Sequence, residues 1–450
     1  MENLTGGTPP VRYLPCVVPC KLYFVLTLAL VVVLAFKKVN IVTISVLAAA
    51  VLALLDGQNL MTALTDTFMT SAANYVKNFL LLFAISALFG KLMEVTGAAA
   101  SIAKFLAKLL GPKFAIVGVV LTGAVLVYGG ISSLVIAFTL YPIALALFQE
   151  ADLPRRLLPG AIAAGCFTFA ASAFPGTTQQ MNIIPQPYLG TDAMAAPLLG
   201  IICGIIGLSL ACIYMYWEGQ RAHRNNEHFM ADESIMRDIE ASKKEGENIH
   251  PLIAFIPMLV IIVLLIAFRV PALLAVFVGT IVCAVLTFKT LKEKDIGACI
   301  TAAVQNAGNA VIFTGSIVGY GAVVGASTGY AVLSELLTSL NAPPLVSFSL
   351  ATTILAGAAG SGSGGLVIAL EAMSEQYLAL GIPAEVLHRV GALAAIGLDS
   401  LPHNGAVIVL LGLCGMTHKD SYKQIFVTTV VITCLVFIIS IMLATVMYGL

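Results

Sequence analysis

Long apolar runs separated by short polar connectors fill the chain, and their spacing predicts its elements. Uninterrupted spans are predicted at 22–36, 39–55, 75–93 and 194–217, and again at 251–268, 270–288, 308–327 and 426–448. Between the third and last span of each set lie two interrupted runs. One, at 113–149 and 345–380, is broken by glycine and serine; the other, at 156–190 and 384–416, is broken by proline. The fold class that follows is an all-α polytopic membrane protein.

The two sets superimpose at one offset. Shifted by 232 positions, Phe36-Lys37 falls on Phe268-Arg269, Asn74 on Asn306, Thr96-Gly97 on Thr328-Gly329 and Pro112 on Pro344, and the `LVIA` of 134–137 falls on the `LVIA` of 366–369. A shared offset over so many positions indicates an internal duplication. The domains expected are a tail at 1–21, a first repeat at 22–217, a linker at 218–250 with 13 of its 33 residues charged, and a second repeat at 251–450. The linker reads as a solvated connector.

If each glycine-broken run is a re-entrant hairpin, a repeat makes five crossings, and an odd number inverts the second repeat relative to the first. With both termini outside and the linker cytoplasmic, 18 of the 23 basic residues fall on the cytoplasmic side.

Composition agrees. Of 450 residues 59% are hydrophobic and 10% charged, and the mean hydropathy is +1.00. The lipid bilayer is therefore an expected partner. A net charge of zero excludes a nucleic-acid partner. The nine cysteines lack metal-ligand spacing, so no metal site and no cofactor is expected. Whether Cys16 and Cys20 pair is open, and the first twenty residues lack the pattern of a signal peptide.

The four breaks carry the candidate chemistry. Inside hydrocarbon, non-helical backbone persists only where protein or a watery cavity surrounds it. The hairpin tips, `VYGGISSLVIA` and `GAAGSGSGGLVIA`, offer Gly129, Gly130, Ser132 and Ser133, and Ser361, Gly362, Ser363 and Gly364. Glycine permits the reversal, and the free N–H groups that open the second arm suit an anion. The proline breaks, `SAFPGTTQQ` and `DSLPHNG`, add Thr177, Thr178 and Gln179, and His403 and Asn404. Pro175 and Pro402 alone suffice for kinks; their polar neighbours exceed what a kink requires.

The combination of `GSGSGGLVIAL`, `LDSLPHNGAVIVLL` and `THKDSYKQIF` resembles the GntP family of gluconate/proton symporters, nearer its 3-hydroxybutyrate permease-like branch, over nearly the whole chain. The resemblance implies a bacterial inner-membrane proton symporter for small organic anions. The wider ion transporter superfamily, to which that family looks related, implies inverted repeats, elevator motion and a homodimer. `VYGGISS` and `SAFPGTTQQ` match the family by position only, so their roles rest on the duplication.

Asp399 and His403, four residues apart, are the expected proton-coupling pair, since an ionisable group at bilayer depth is functional by default. The alternative for His403 is a structural hydrogen bond at the break. Glu371 either lines the cavity as a third coupling group or faces water. Arg389, with His388, lies about 15 Å of helix before Asp399, too far for contact, and reads as interfacial snorkelling in preference to a vestibule that attracts anions. No basic pair lies in the breaks, which favours a monocarboxylate substrate. Sodium competes with the proton as coupling ion. A passive anion channel and an intramembrane serine protease are the remoter readings, and a protease would not duplicate a site whose first copy lacks the histidine.

Overall fold

The computed structural model describes residues 23–37, 39–244, 249–328 and 343–450. The expected tail with Cys16 and Cys20, and nearly all of the second repeat's counterpart to the 98–110 connector, lie outside the described residues. Every regular element among the described residues is helical.

The first repeat's residues form α1 (Tyr23–Phe36), α2 (Ile41–Leu55), α3 (Leu60–Val95), α4 (Ala98–Leu110), α5 (Ala115–Tyr128), α6 (Ser133–Glu150), α7 (Leu158–Cys166) and α8 (Pro197–Arg224). Three short helical turns, Phe169–Ser172, Gln180–Ile183 and Pro185–Leu189, replace the middle of the proline-broken run. The linker contributes α9 (Glu233–Lys244). The second repeat's residues form α10 (Pro251–Ile266), α11 (Ala272–Leu286), α12 (Ile296–Gly325), α13 (Pro344–Ala359), α14 (Gly362–Ala379), α15 (Ala384–Ala395), α16 (Gly405–Leu413) and α17 (His418–Tyr448).

Two predicted spans begin earlier than expected. The run predicted at 75–93 starts at Leu60, capped by Asn59 and carrying a π turn at Ala63–Phe68. That predicted at 308–327 starts at Ile296, where Asp295 accepts from the N–H of Ala298. In each case a side-chain cap starts the helix and no proline follows to stop it, so the polar connector winds into the span. α3, α8, α12 and α17 are long and apolar enough to cross a bilayer by themselves, whereas α4 and α5 qualify only as a pair bent by 105° at Gly111. α1, α2, α10, α11 and α13 hold only 14–16 residues. At 1.5 Å per residue these reach roughly 21–24 Å, short of the ~30 Å hydrocarbon layer.

α3 lies along α12 for much of its length, α2 packs on α12, and α11 packs on α3, so each set's second helix sits against the other set's long helix. Gly315 and Gly319 of α12 permit that approach: a Cβ at Gly319 would stand 2.8 Å from the Phe68 carbonyl oxygen. The hairpins α5–α6 and α13–α14 form as predicted. α7 backs the first and α15 the second, and α8 meets α17.

The linker is docked, which differs from the solvated connector expected. α9 packs on α6. Arg156 grips Glu227 through two bonds of 2.6 and 2.8 Å, and buried Glu218 lies 3.8 Å from the same guanidinium. The Arg156 hydrogen bond holds the Glu227 carboxyl below its ordinary range, and His228 does the same for Asp152. Polar side chains thus tie the start of the connector at 227–229 to the chain reversal at 150–156.

The second hairpin's arms touch at Gly365, where a Cβ would lie 2.2 Å from the backbone of Ala356, while a Cβ at Gly412 meets nothing within 4 Å. Gly365→Ala is expected to destabilise the protein by about 1–3 kcal/mol, as overpacking does. Gly412→Ala is expected to be neutral or stabilising by up to about 1 kcal/mol. Thermal unfolding of both variants in detergent checks the difference; equal melting temperatures would show that the arms do not depend on the contact.

Candidate functional site

A helix that stops inside an apolar layer leaves carbonyls at its end and N–H groups at the next beginning, all needing partners. At the first tip, α5 ends at Tyr128 and Gly130 turns the chain at φ +97°. The Gln179 side chain then donates to Val127 O at 2.9 Å and Ile131 O at 3.0 Å, and the Tyr128 hydroxyl donates to Pro175 O at 2.9 Å. At the second tip, Gly360 turns at φ +58°. His403 Nε2 donates to Gly357 O at 3.1 Å, and Asn404 Nδ2 donates to Gly360 O at 3.0 Å. Each proline break therefore closes the tip of its own hairpin.

Asn404 spends its whole capacity on structure. Its Nδ2 also donates to Asp399 O, and its Oδ1 accepts from the N–H groups of Ala406 and Val407 that open α16. No donor or acceptor is left for a ligand, contrary to the substrate-binding role expected of it.

Asp399 and His403 are not bonded to one another. The Asp399 carboxylate takes the Ser400 hydroxyl at 2.7 Å. A Cβ at Gly362 would come 2.8 Å from Asp399 Oδ2. Ser361 Oγ caps Gly364 N at 3.2 Å and lies 3.3 Å from Ser363 Oγ. The anion at the start of α14 is thus the protein's own.

The breaks meet across the repeats. Met181, between Gln180 and Asn182 of the first break, packs against Gly362 of the second tip, and Met258 of α10 packs against Gly129 of the first. Gly130 faces Thr178 Oγ1, while Thr177 is fully buried and its Oγ1 accepts from Gln179 N. Ser132 is exposed and Ser133 half-buried at the start of α6. Glu371, expected to line the cavity or face water, is exposed on α14 with the Tyr188 hydroxyl against it.

Arg389 departs most from expectation. It is 0% exposed, not at an interface: its guanidinium donates twice to Ala195 O, at 2.8 and 3.2 Å, and once to Ser172 O at 3.0 Å. On the same face of α15, His388 bonds Thr191 and Asn182, and Glu385 accepts from Ala196 N. Asn182 in turn donates to Thr177 O and Ala193 O. One helix of the second repeat therefore satisfies the unwound backbone of the first. The i, i+3, i+4 spacing of Glu385, His388 and Arg389 was the available signal; what it lacked was the identity of the facing surface.

No family model matches the chain. The uncharacterized transporter YxjC of Bacillus subtilis is 35% identical over 92% of this chain and 96% of its own length. The YdaH transporter of Alcanivorax borkumensis shares the fold at a TM-score of 0.59 and 16% identity, over 96% of this chain and 98% of YdaH. A slighter likeness, TM-score 0.48 at 14% identity over 93% and 95% of the two chains, is to MtrF of Neisseria gonorrhoeae, which represents a class of antimetabolite efflux pumps. The likeness to YxjC makes this chain a transporter and not an enzyme, and its apolar helices make it a multi-pass membrane protein. The chain belongs to the transporter family of YxjC.

Proposed function

We propose that the chain is a secondary active transporter of the bacterial inner membrane that couples proton influx to uptake of a small organic monocarboxylate. The observation that carries this reading is Asp399. Its half-buried carboxylate sits where two broken helices meet, and among the described residues no cationic side chain lies within ion-pair distance. An acid in such a place costs several kcal/mol to keep charged and is retained for a task such as proton binding.

The motif resemblance to the GntP family supports the finer choice of a short hydroxy acid such as 3-hydroxybutyrate, or gluconate. Gathering tips and breaks into one body beside the paired long helices α3 and α12 supports elevator motion. Inverted repeats of five crossings, outside termini and a homodimer belong to the same proposal. Within it, Asp399 binds the coupling proton, while His403 holds the second tip shut through Gly357 in either state.

Reconstituted into vesicles, the protein is expected to accumulate 3-hydroxybutyrate or gluconate against a gradient when the outside is acid. A protonophore should abolish this, and replacing sodium by choline should change it less than twofold. Sodium dependence without proton dependence would transfer the coupling to sodium, and uptake indifferent to both gradients would mean a channel.

Asp399→Asn is expected to cut pH-driven accumulation at least tenfold, equivalent to about 1.4 kcal/mol of lost driving force, while counterflow persists. His403→Gln, whose amide also donates a hydrogen bond, should keep the wild-type pH profile. A flat pH profile in His403→Gln would return the coupling role to the histidine.

A further inference from the structure

The two tips are built alike but filled differently. At the second, the start of α14 is already occupied: the Asp399 carboxylate lies against Gly362, and Gly364 N–H is bound by Ser361 Oγ. At the first, α6 is an 18-residue helix whose N-cap, Ser132, makes no side-chain capping bond. Aligning Pro175 with Pro402 sets Ser172 where the second repeat has Asp399, so the first repeat brings no acid of its own.

Two further observations single out the first tip. Thr178 is 7% exposed, its hydroxyl has no hydrogen-bond partner, and it points at the tip: a Cβ on Gly130 would stand 3.0 Å from Thr178 Oγ1. A buried hydroxyl left without a partner costs stability and implies a group that is sometimes there. In the same break, the guanidinium of fully buried Arg389 binds Ser172 O, three residues before Pro175, whose carbonyl accepts from the hydroxyl of Tyr128, the last residue of α5. Among the described residues no carboxylate lies within ion-pair distance of Arg389; Glu385, one turn earlier on α15, is bound to Ala196 N. The protein thus holds a buried cation near one tip and an unpaired acid at the other.

We propose that the carboxylate of the transported anion seats at the first tip, between the start of α6 and Thr178 Oγ1, with the Arg389 charge behind it, while the second tip is reserved for the proton on Asp399. Neutral hydroxyl and N–H donors on one side and a protein carboxylate on the other divide the two ligands between the repeats, which rests on reading the chain as an anion symporter. The division explains why the acid appears in only one of two duplicated breaks. A carboxylate in both would expel the substrate by repulsion.

The test uses Thr178→Val, which keeps the shape and removes the hydroxyl, beside Thr178→Ser, which keeps the hydroxyl. In vesicles Thr178→Val is expected to raise the KM for 3-hydroxybutyrate or gluconate at least tenfold without shifting the pH profile, and Thr178→Ser to stay within threefold of wild type. In detergent the same acids should raise the melting temperature of wild type and Thr178→Ser but not of Thr178→Val, whose ligand-free melting temperature reports its folding. An unchanged KM in folded Thr178→Val, or a shifted pH profile with unchanged KM, overturns the seat. Should wild type transport neither acid yet be stabilised by one in a Thr178-dependent way, the seat stands and the symport reading falls; absence of both effects removes both.

Discussion

Backbone that leaves its helix inside an apolar layer must find hydrogen-bond partners from within the protein, and that requirement organises this molecule. Four helix ends and four helix beginnings are exposed by the tips and the proline breaks. Gln179, His403 and Asn404 serve the carbonyls of the two tips, Arg389 and Asn182 serve those of the first broken span, and His388 holds the Asn182 side chain. Most of these bonds tie segments distant in sequence, while Asn182 closes the first break on itself.

Because the partners come from other segments, the breaks cannot move independently. α15 carries the second repeat's first half-span and at the same time fixes the first repeat's unwound stretch from Ser172 to Ala196. The hairpins, the breaks and α15 are thus one hydrogen-bonded unit. The long helices α3 and α12 pair through small residues such as Gly315 and Gly319, which let them pack closely.

The same requirement makes the repeats unequal. A tip needs donors for its carbonyls, and glutamine meets that need in the first repeat as histidine and asparagine do in the second. Once that need is met, the start of the returning arm is free to differ. In the second repeat it holds Asp399 against Gly362; in the first it faces Thr178.

The sequence by itself determined the membrane class and marked the positions of the two glycine turns and the two proline breaks. These follow from local backbone chemistry: apolar run length, glycine and serine at reversals, and proline where a helix cannot continue. It also marked Asp399 and His403, because an ionisable residue in an apolar run stands out without any structure. Only the tertiary structure decided what those side chains touch. Arg389 reads as interfacial from its own neighbours, and Asn404 as a ligand group, because neither residue's neighbours in sequence show the carbonyls waiting some 190 or 40 positions away. Likewise Asp399 and His403 both lie in the unwound stretch between Ala395 and Gly405, where four-residue spacing does not bring side chains together. Periodicity reports which face of an element is apolar; which partner meets a polar group depends on chain segments brought together by packing, and a linear pattern does not carry that information.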